Sequence, residues 1–165
     1  MVDYQTISVV FAGISVGLAA IYYALTLRKA EKNRQTTLDT RQAQLLMQIF
    51  QELTSDKRWK EYLEALYITE WEDYDDFKRK YGRENPDYYS KLLSLWWSYN
   101  SVGALVSEGL LDENKVDSLM GTMVVQQWEK WESVIKSLRV DIGHPKAFRD
   151  FESLYQRVKT LGVST

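Results

Sequence analysis

The sequence predicts an all-α protein in which a single N-terminal transmembrane helix continues into a stalk and is followed by a small cytoplasmic helical bundle. The first observation behind this prediction is an uncharged apolar run from Ile7 to Leu27. The second is composition, since only eight glycines and two prolines accompany abundant Leu, Lys, Glu and Gln, which favour helices. The third is that apolar residues recur at three- and four-residue spacing along the rest of the chain.

The residue inventory excludes several kinds of site. The chain has no cysteine, which rules out disulfides, thiolate nucleophiles and cysteine-based zinc sites, and is typical of a domain in a reducing compartment. His144 is the only histidine, so histidine-rich metal sites are excluded as well. We therefore expect no cofactor, no metal and no enzymatic activity.

The apolar run has the length of a membrane span. From Ile7 to Leu27 it makes a helix roughly 31 Å long, which matches the hydrocarbon core of a bilayer. Tyr4 and the pair Tyr22–Tyr23 lie near its two ends, where aromatic residues meet the membrane interface. Basic residues follow the run instead of preceding it, so we expect a permanent anchor and not a cleaved signal peptide.

Charge sets the expected orientation. Five basic residues stand against two acidic ones between residues 28 and 41, whereas 16 basic and 20 acidic residues follow from residue 42 onward. We call Arg28, Lys29, Lys32 and Arg34 the basic collar. It predicts a cell-membrane protein with the N-terminus outside and the C-terminal domain in the cytoplasm, and it would attract anionic lipid headgroups. The domain itself shows no basic face, so we expect no nucleic-acid partner.

Small residues in the anchor predict self-association. One face carries bulky side chains from Ile7 to Leu25, and small residues occupy two flanking faces, one of which contains Gly13 and Gly17 at GxxxG spacing. Membrane helices associate where small residues let backbones approach closely, so two such faces suggest a neighbour on each side, as in a ring. The candidate oligomerisation residues are Ser8, Ala12, Gly13, Ser15, Gly17, Ala19, Ala20 and Ala24.

The fourth face of the anchor would line the centre of such a ring. It holds Val9, Val16, Tyr23 and Leu27, which would form an apolar lumen. The stretch from Gly13 to Gly17 also fits the G-x-S-x-G nucleophile motif. That motif needs a preceding strand and a histidine partner, so we reject it here.

The domain behind the anchor reads as a series of antiparallel helices. Capping residues and helix breakers mark the boundaries, with Asn85 and Asp112 as N-caps and Gly109 as a C-terminal stop. Residues 69–85 are expected to be irregular. The predicted helices are a stalk to Leu53, a helix from Asp56 to about Ile68, then Pro86 to Glu108, Glu113 to Leu138, and a last helix from Pro145 to Leu161.

The segment from Trp97 to Leu154 carries a recognisable set of residues. They are Asn100, Gly103-Ala104-Leu105-Val106, Glu108-Gly109-Leu110-Leu111-Asp112, Val116, Trp128, Trp131, Arg139 and Phe151-Glu152-Ser153-Leu154. On these residues the chain resembles the uncharacterised prokaryotic membrane protein family called domain of unknown function 4760. The resemblance implies an N-terminal membrane helix with a helical tail, and it brings no known activity.

Three further features have both structural and functional interpretations. Residues 70–76 hold five carboxylates, which we interpret as a solvated acidic loop and not as a cation site, since EF-hand spacing is missing. The six tryptophans are expected to be core residues and not stacking platforms for a nucleotide. Arg139 and Glu152 are expected to form an ion pair that fixes the last helix.

These observations divide the chain into an anchor at residues 1–27 with its span at about 7–27, a basic collar and helical stalk at 28–53, and a cytoplasmic helical domain at 54–165. We expect a membrane-anchored, self-associating module that binds a partner or a small ligand through its cytoplasmic domain, with membrane lipid, copies of itself and a protein as partners. The alternative is a subunit of a homo-oligomeric pore or membrane-permeabilising effector that the domain gates.

Overall fold

The computed structural model describes residues 3–163, except for the side chains of residues 5–7, 9, 10 and 163. Within this range the chain forms six α-helices and one π-helical turn, and the all-α class is confirmed. The elements are α1 (Tyr4–Leu53), α2 (Asp56–Leu63), the π-helical turn (Glu64–Ile68), α3 (Tyr74–Tyr81), α4 (Pro86–Ser107), α5 (Glu113–Asp141) and α6 (Arg149–Val163). The chain divides into two compact units, and the boundary between them along the chain lies between Ala43 and Gln44.

The N-terminal unit is the greater part of α1, which runs without interruption to Leu53 because no Pro or Gly follows Gly17 within it. Every side chain from Phe11 to Leu27 is exposed. The most apolar 18-residue window of this helix has a mean hydropathy of 1.4, and none of it is buried. By length and composition this one helix among the described residues is able to cross a membrane.

The C-terminal unit is a helical bundle whose core lies between α4, α5 and α6. Its largest fully buried side chains include Trp96, Trp128 and Trp131, which are 0% exposed. Leu46 and Leu53, from the last turns of α1, belong to the same core. These large aromatic side chains account for much of the apolar surface that a domain of about 120 residues must remove from water to be stable.

Three boundaries that the sequence predicted are confirmed. The Asn85 side chain accepts a hydrogen bond from the Tyr88 amide at the start of α4, and Pro86 occupies the first turn. Asp112 accepts hydrogen bonds from the amides of Asn114 and Lys115 at the start of α5. Gly109 has a φ of +71°, the left-handed conformation that ends α4 and favours glycine.

The expectation of an irregular segment at residues 69–85 is wrong, because α3 forms there. The Asp73 side chain accepts a hydrogen bond from the Asp76 amide, 2.8 Å away, and so caps the helix. Tyr74, Phe77 and Tyr81 follow at helical spacing, and the Phe77 ring packs 5.9 Å from that of Trp131. Tertiary packing of this one aromatic face stabilises a helix that is only eight residues long.

The expectation that Pro145 opens the last helix is also wrong. Residues 145–148 form turns, and α6 begins at Arg149. The N-terminal amides of α6 are capped from another helix, since the side-chain oxygen of the buried Asn100 accepts hydrogen bonds from the amides of Asp150 at 3.1 Å and Phe151 at 3.2 Å. Phe148 has a φ of +55°, and the packing of its buried ring stabilises this unusual backbone.

Gly103 allows α4 and α6 to lie this close together. A Cβ atom at this position would overlap the carbonyl oxygen of Asp150 and lie 3.2 Å from the Cβ of Leu154. Because the obstruction includes backbone, a side chain could not simply rotate away from it. The Gly103 position therefore fixes the distance between α4 and the capped end of α6.

Candidate functional site

The candidate oligomerisation residues lie on the exposed N-terminal part of α1. Within the described side chains, Gly13 and Gly17 have no atom of the chain within 4 Å of where a Cβ would lie, apart from neighbouring residues and the helix's own backbone. Ala12, Ser15, Ala19, Ala20 and Ala24 are exposed in the same way, and so is Ser8. Both small-residue faces are therefore exposed wherever the structure describes their side chains.

The serines on these faces do not need a partner for their hydroxyl donors. The Ser15 hydroxyl donates to the Phe11 carbonyl at 2.8 Å, and the Ser8 hydroxyl donates to the Tyr4 carbonyl at 3.1 Å. A hydroxyl bonded to its own helix can lie in an apolar environment at low cost. Both serines thus act as small residues on the helix surface.

The structure describes the side chains of three of the four candidate lumen residues. Val16, Tyr23 and Leu27 are exposed on α1, at 70%, 68% and 68% of their full area. The side chain of Val9 lies outside the described residues. The basic collar, Arg28 to Arg34, is exposed throughout, and within it Arg34 lies 4.0 Å from Glu31.

The C-terminal unit contains a cavity of about 520 Å³ that the sequence did not indicate. It lies between α3, the first turn of α4 and the last turn of α5. The buried side chains Phe77 and Leu138 form its apolar floor, and charged residues form its rim. The lining residues are Tyr74, Asp75, Phe77, Lys78, Arg79, Gly82, Arg83, Glu84, Tyr89, Leu138 and Asp141.

On one side of the cavity the charges compensate one another. The Lys78 ammonium lies 3.2 Å from an Asp75 carboxylate oxygen and 3.5 Å from one of Asp141, and it sits 5.0 Å from the centre of the Tyr74 ring. Its hydrogen bond to Asp75 raises the pKa of Lys78. Arg79, which also lines the cavity, pairs with Asp76, which does not. These contacts fix the cationic side chains of α3 in place.

Unlike Lys78 and Arg79, Arg83 forms no ion pair, because no carboxylate of the described residues lies within 4.0 Å of its guanidinium. Its positive charge acts on the phenols of Tyr74 and Tyr89. Burial and the nearby Asp141 carboxylate nevertheless raise the pKa of Tyr74 to about 12, and burial also raises the pKa of Tyr89. At neutral pH both phenols keep their protons, so neither adds a negative charge beside Arg83, and the Tyr74 hydroxyl is hydrogen-bonded to Asp141.

The acidic segment at residues 70–76 is in part the expected solvated loop, since residues 70–73 precede α3 and every carboxylate of the segment except that of Asp76 is exposed. Asp76 is 6% exposed; it pairs with Arg79 and Lys80 and accepts a hydrogen bond from the Glu72 amide at 3.1 Å. Within residues 3–163 no group of three or more His, Cys, Asp or Glu side chains could hold a metal ion. The carboxylates of this segment therefore have separate roles, with Asp73 a cap and Asp76 an ion-pair centre.

The Asp76 cluster predicts a pH dependence of stability. The hydrogen bond from Lys80, the Glu72 amide and the two cations lower the pKa of Asp76 below its ordinary 3.8. Its contribution to stability is thus fully present above pH 3.8 and is lost as the pH falls through the lower folded-state pKa. We expect Asp76→Asn to lower the melting temperature at pH 7, and the difference from the unmodified chain to shrink below about pH 3.8. Melting followed by circular dichroism between pH 2 and 7 measures this, and a difference that stays constant would contradict it.

The tryptophans are mostly core residues, with exceptions. Trp131 stacks on Trp71 with ring centres 4.6 Å apart and lies 5.4 Å from Trp96. Trp97 and Trp59 are 54% and 39% exposed. The buried tryptophans are therefore not available to stack on a nucleotide.

The predicted ion pair of the last helix is confirmed. The Arg139 guanidinium donates to Glu152 at 2.8 Å and to the Ala147 carbonyl at 2.8 Å. It thereby connects the end of α5 with the turn before α6 and with α6 itself. Both charged side chains are thus occupied within the bundle.

The cavity was missed because its residues come from a helix that the sequence did not predict. The one signal that could have found it is the spacing of Tyr74, Phe77 and Tyr81, which places three aromatic rings on one face of a helix beginning at the Asp73 cap. No local pattern indicates that Tyr89 and Asp141 meet α3. Those contacts depend on the packing of α4 and α5.

Comparison with known proteins gives one finding at the level of family. The family model described as "Domain of unknown function (DUF4760)" matches residues 8–158 of this chain. The match covers most of the anchor helix as well as the bundle, and so extends well beyond the segment that carried the resemblance in the sequence. Comparisons with curated proteins and with solved structures found no match.

Proposed function

We propose, on the premise that the chain belongs to the family of the domain of unknown function (DUF4760), that it is a membrane-anchored, self-associating helical module that binds a ligand or partner through its C-terminal unit. The observation that carries the proposal is the contrast between the two units. The apolar side chains from Phe11 to Leu27 are all exposed, whereas the C-terminal unit buries a complete core of its own. Exposed apolar surface of this extent needs lipid or other helices to cover it.

The orientation follows from the basic collar. Arg28, Lys29, Lys32 and Arg34 lie directly after the apolar residues, so the positive-inside rule keeps the C-terminal unit in the cytoplasm and the N-terminus outside. A signal sequence near the N-terminus would also be long and apolar, but it would be removed from the mature protein. Retention of the segment in the mature chain is therefore part of the proposal.

Single cysteines test the anchor and its orientation, because the chain has none of its own. We expect Asp3→Cys to react with a membrane-impermeant maleimide on intact cells, and Lys146→Cys to react only after the membrane is opened. The intact mass of the purified protein should include residues 3–27. Labelling of Lys146→Cys on intact cells, or loss of the N-terminal segment, would contradict the proposal.

Self-association is proposed from the two small-residue faces of α1. The described side chains of both faces are exposed, and close helix contact in lipid is favoured where side chains are small. A helix with two such faces can contact one neighbour on each side, which produces a closed ring if the rotation closes. We propose that the anchors assemble in this way.

The cavity at α3 is the proposed ligand site. The Arg83 guanidinium, which has no carboxylate of the described residues within 4.0 Å, suits an anionic group, and the floor of Phe77 and Leu138 suits a flat apolar body. Charge-assisted hydrogen bonds from a guanidinium fix such an anion in orientation as well as in position. The proposed ligand is thus a small anion that carries a planar group.

Phenyl phosphate is a suitable probe of this site. We expect it to bind more tightly than inorganic phosphate or phenol, because only phenyl phosphate engages both the donors and the floor. Arg83→Ala should weaken its binding at least about tenfold, since a charged hydrogen bond contributes about 1.5–3 kcal/mol. Isothermal titration of the full chain in mild detergent measures the affinity, with Lys146→Ala as the control. Equal affinity for Arg83→Ala and Lys146→Ala would contradict the assignment.

A pore is the second candidate function, because the fourth face of α1 is continuous and apolar. Val16, Tyr23 and Leu27 share that face and are all exposed. In a closed ring they would line an apolar lumen, which stays dry until the helices move apart. Ion flux from liposomes that contain the full chain distinguishes a pore from a binding module without conductance.

A further inference from the structure

The outer face of α2 and the π-helical turn exposes a second apolar surface, within the C-terminal unit. Trp59, Leu63 and Tyr67 follow one another at four-residue spacing, and Ile68 lies beside Tyr67. Their exposed fractions are 39%, 37%, 65% and 72%. We call these four residues the α2 stripe.

The α2 stripe is not needed to hold its own segment in place. The opposite face of the segment buries Tyr62 and Ala65 in the core. The Tyr62 hydroxyl bonds the Gln126 side chain at 2.6 Å, and the Thr69 hydroxyl bonds that of Tyr88. These contacts hold the segment against the bundle along its length and at its end. The α2 stripe therefore remains as a rigid exposed surface of large apolar side chains. A surface of this kind is typical of a site of protein contact.

The charges at the two ends of the stripe have opposite signs. Lys57 and Lys60 are exposed at its beginning beside one carboxylate, that of Asp56, and Glu70 and Glu72 are exposed just beyond its end. None of these five forms an ion pair within 4.0 Å among the described residues. The surface therefore carries a net positive charge at one end, is apolar in the middle and is acidic at the other end.

We infer that the α2 stripe is the contact surface for a second copy of this chain, arranged antiparallel about a two-fold axis near Leu63. A two-fold contact places the same patch on both copies, so the patch must complement itself. Antiparallel packing brings Lys57 of one copy to Glu70 of the other, and Trp59 to Ile68. The acidic end of the stripe would be repelled by an anionic bilayer, which argues against a membrane surface as the binding partner. An unrelated protein would not require the charges at the two ends of the same stripe to complement each other.

This interface goes beyond the proposed function and does not depend on it. The small-residue faces of α1 would join chains within the membrane, whereas the α2 stripe joins C-terminal units directly. Each contact uses different residues, so each can be removed alone.

A cysteine at the centre of the stripe tests the inference directly. Since the chain has no cysteine, Leu63→Cys in the full chain can form a disulfide only between copies. We expect mild oxidation in native membranes to convert most of this variant to a covalent dimer. Leu119→Cys is the matched control, because Leu119 has the same 37% exposure on α5. Failure of Leu63→Cys to cross-link, or equal cross-linking of Leu119→Cys, would overturn the inference.

Charge reversal tests the antiparallel arrangement in the same background. Lys57→Glu or Glu70→Lys alone should lower the yield of the Leu63→Cys dimer several-fold, and the two together should restore it. No restoration would overturn the antiparallel pairing. Cross-linking should also persist when Gly13 and Gly17 are both replaced by leucine, and its loss there would overturn the independence of the two interfaces. Circular dichroism confirms that each variant remains folded.

Discussion

Replacing Gly13 and Gly17 together with leucine is expected to separate the anchors within the membrane. A leucine at either position meets no atom of its own chain, because nothing lies within 4 Å of the Cβ sites apart from neighbouring residues and the helix backbone. The added bulk therefore acts only on whatever packs against the helix from outside. Helices that associate through small residues lose their close backbone approach when that surface is filled. Mass measurement in a mild membrane mimetic should show the loss of the anchor-dependent assembly.

The matched control places similar bulk on the face that is expected to meet lipid. Ile14→Phe combined with Leu18→Phe enlarges two side chains of the bulky stripe, which are 54% and 63% exposed. We expect this variant to assemble like the unmodified chain. Normal assembly of the Gly13 and Gly17 variant, or dissociation of the phenylalanine variant, would show that the packing argument is wrong.

Replacing Trp131 with alanine is expected to lower the free energy of unfolding of the bundle by about 3–5 kcal/mol. The Trp131 side chain is 0% exposed. Its ring lies between those of Trp71 at 4.6 Å, Trp96 at 5.4 Å and Phe77 at 5.9 Å. Removing it leaves a cavity where three elements meet, and those aromatic neighbours cannot collapse into it without losing their own contacts. Urea unfolding followed by circular dichroism measures the change.

Trp97→Ala provides the comparison, since it deletes the same side chain from a position that is 54% exposed. Its principal ring contact is with Phe148, at 4.9 Å. We expect a loss of about 1 kcal/mol, which is ordinary for partly exposed positions. Similar losses for the two variants would mean that Trp131 is not a central element of the core.

The parts of the fold that the sequence predicted correctly are those that local chemistry determines. The caps at Asn85 and Asp112 and the glycine stop at Gly109 act within a few residues, so their patterns are visible in the chain. The failures depend on distant contacts. The start of α6 is capped by Asn100 from α4, some fifty residues earlier, and no local pattern could reveal this.

The candidate sites likewise divide into those that local sequence reveals and those that depend on distant contacts. The arrangement of the anchor faces follows from helical periodicity, and residues 11–27 are helical and exposed, while the role of these faces in assembly stays a prediction. The cavity beside Arg83 and the α2 stripe need tertiary structure, because each depends on which side of a short helix is buried. Arg139 and Glu152 form an exception, since their pairing was predicted although it joins two helices.

The most direct test of the central claim is the native mass of the full chain in a mild membrane mimetic. The α2 stripe and the small-residue faces of α1 are both expected to contribute to assembly. The mass is therefore measured for the unmodified chain and for the Gly13→Leu, Gly17→Leu double variant side by side. We expect a discrete closed oligomer of four or more copies for the unmodified chain, and at most a dimer for the variant. A monomer for the unmodified chain would contradict self-association and leave the helix as a simple tether.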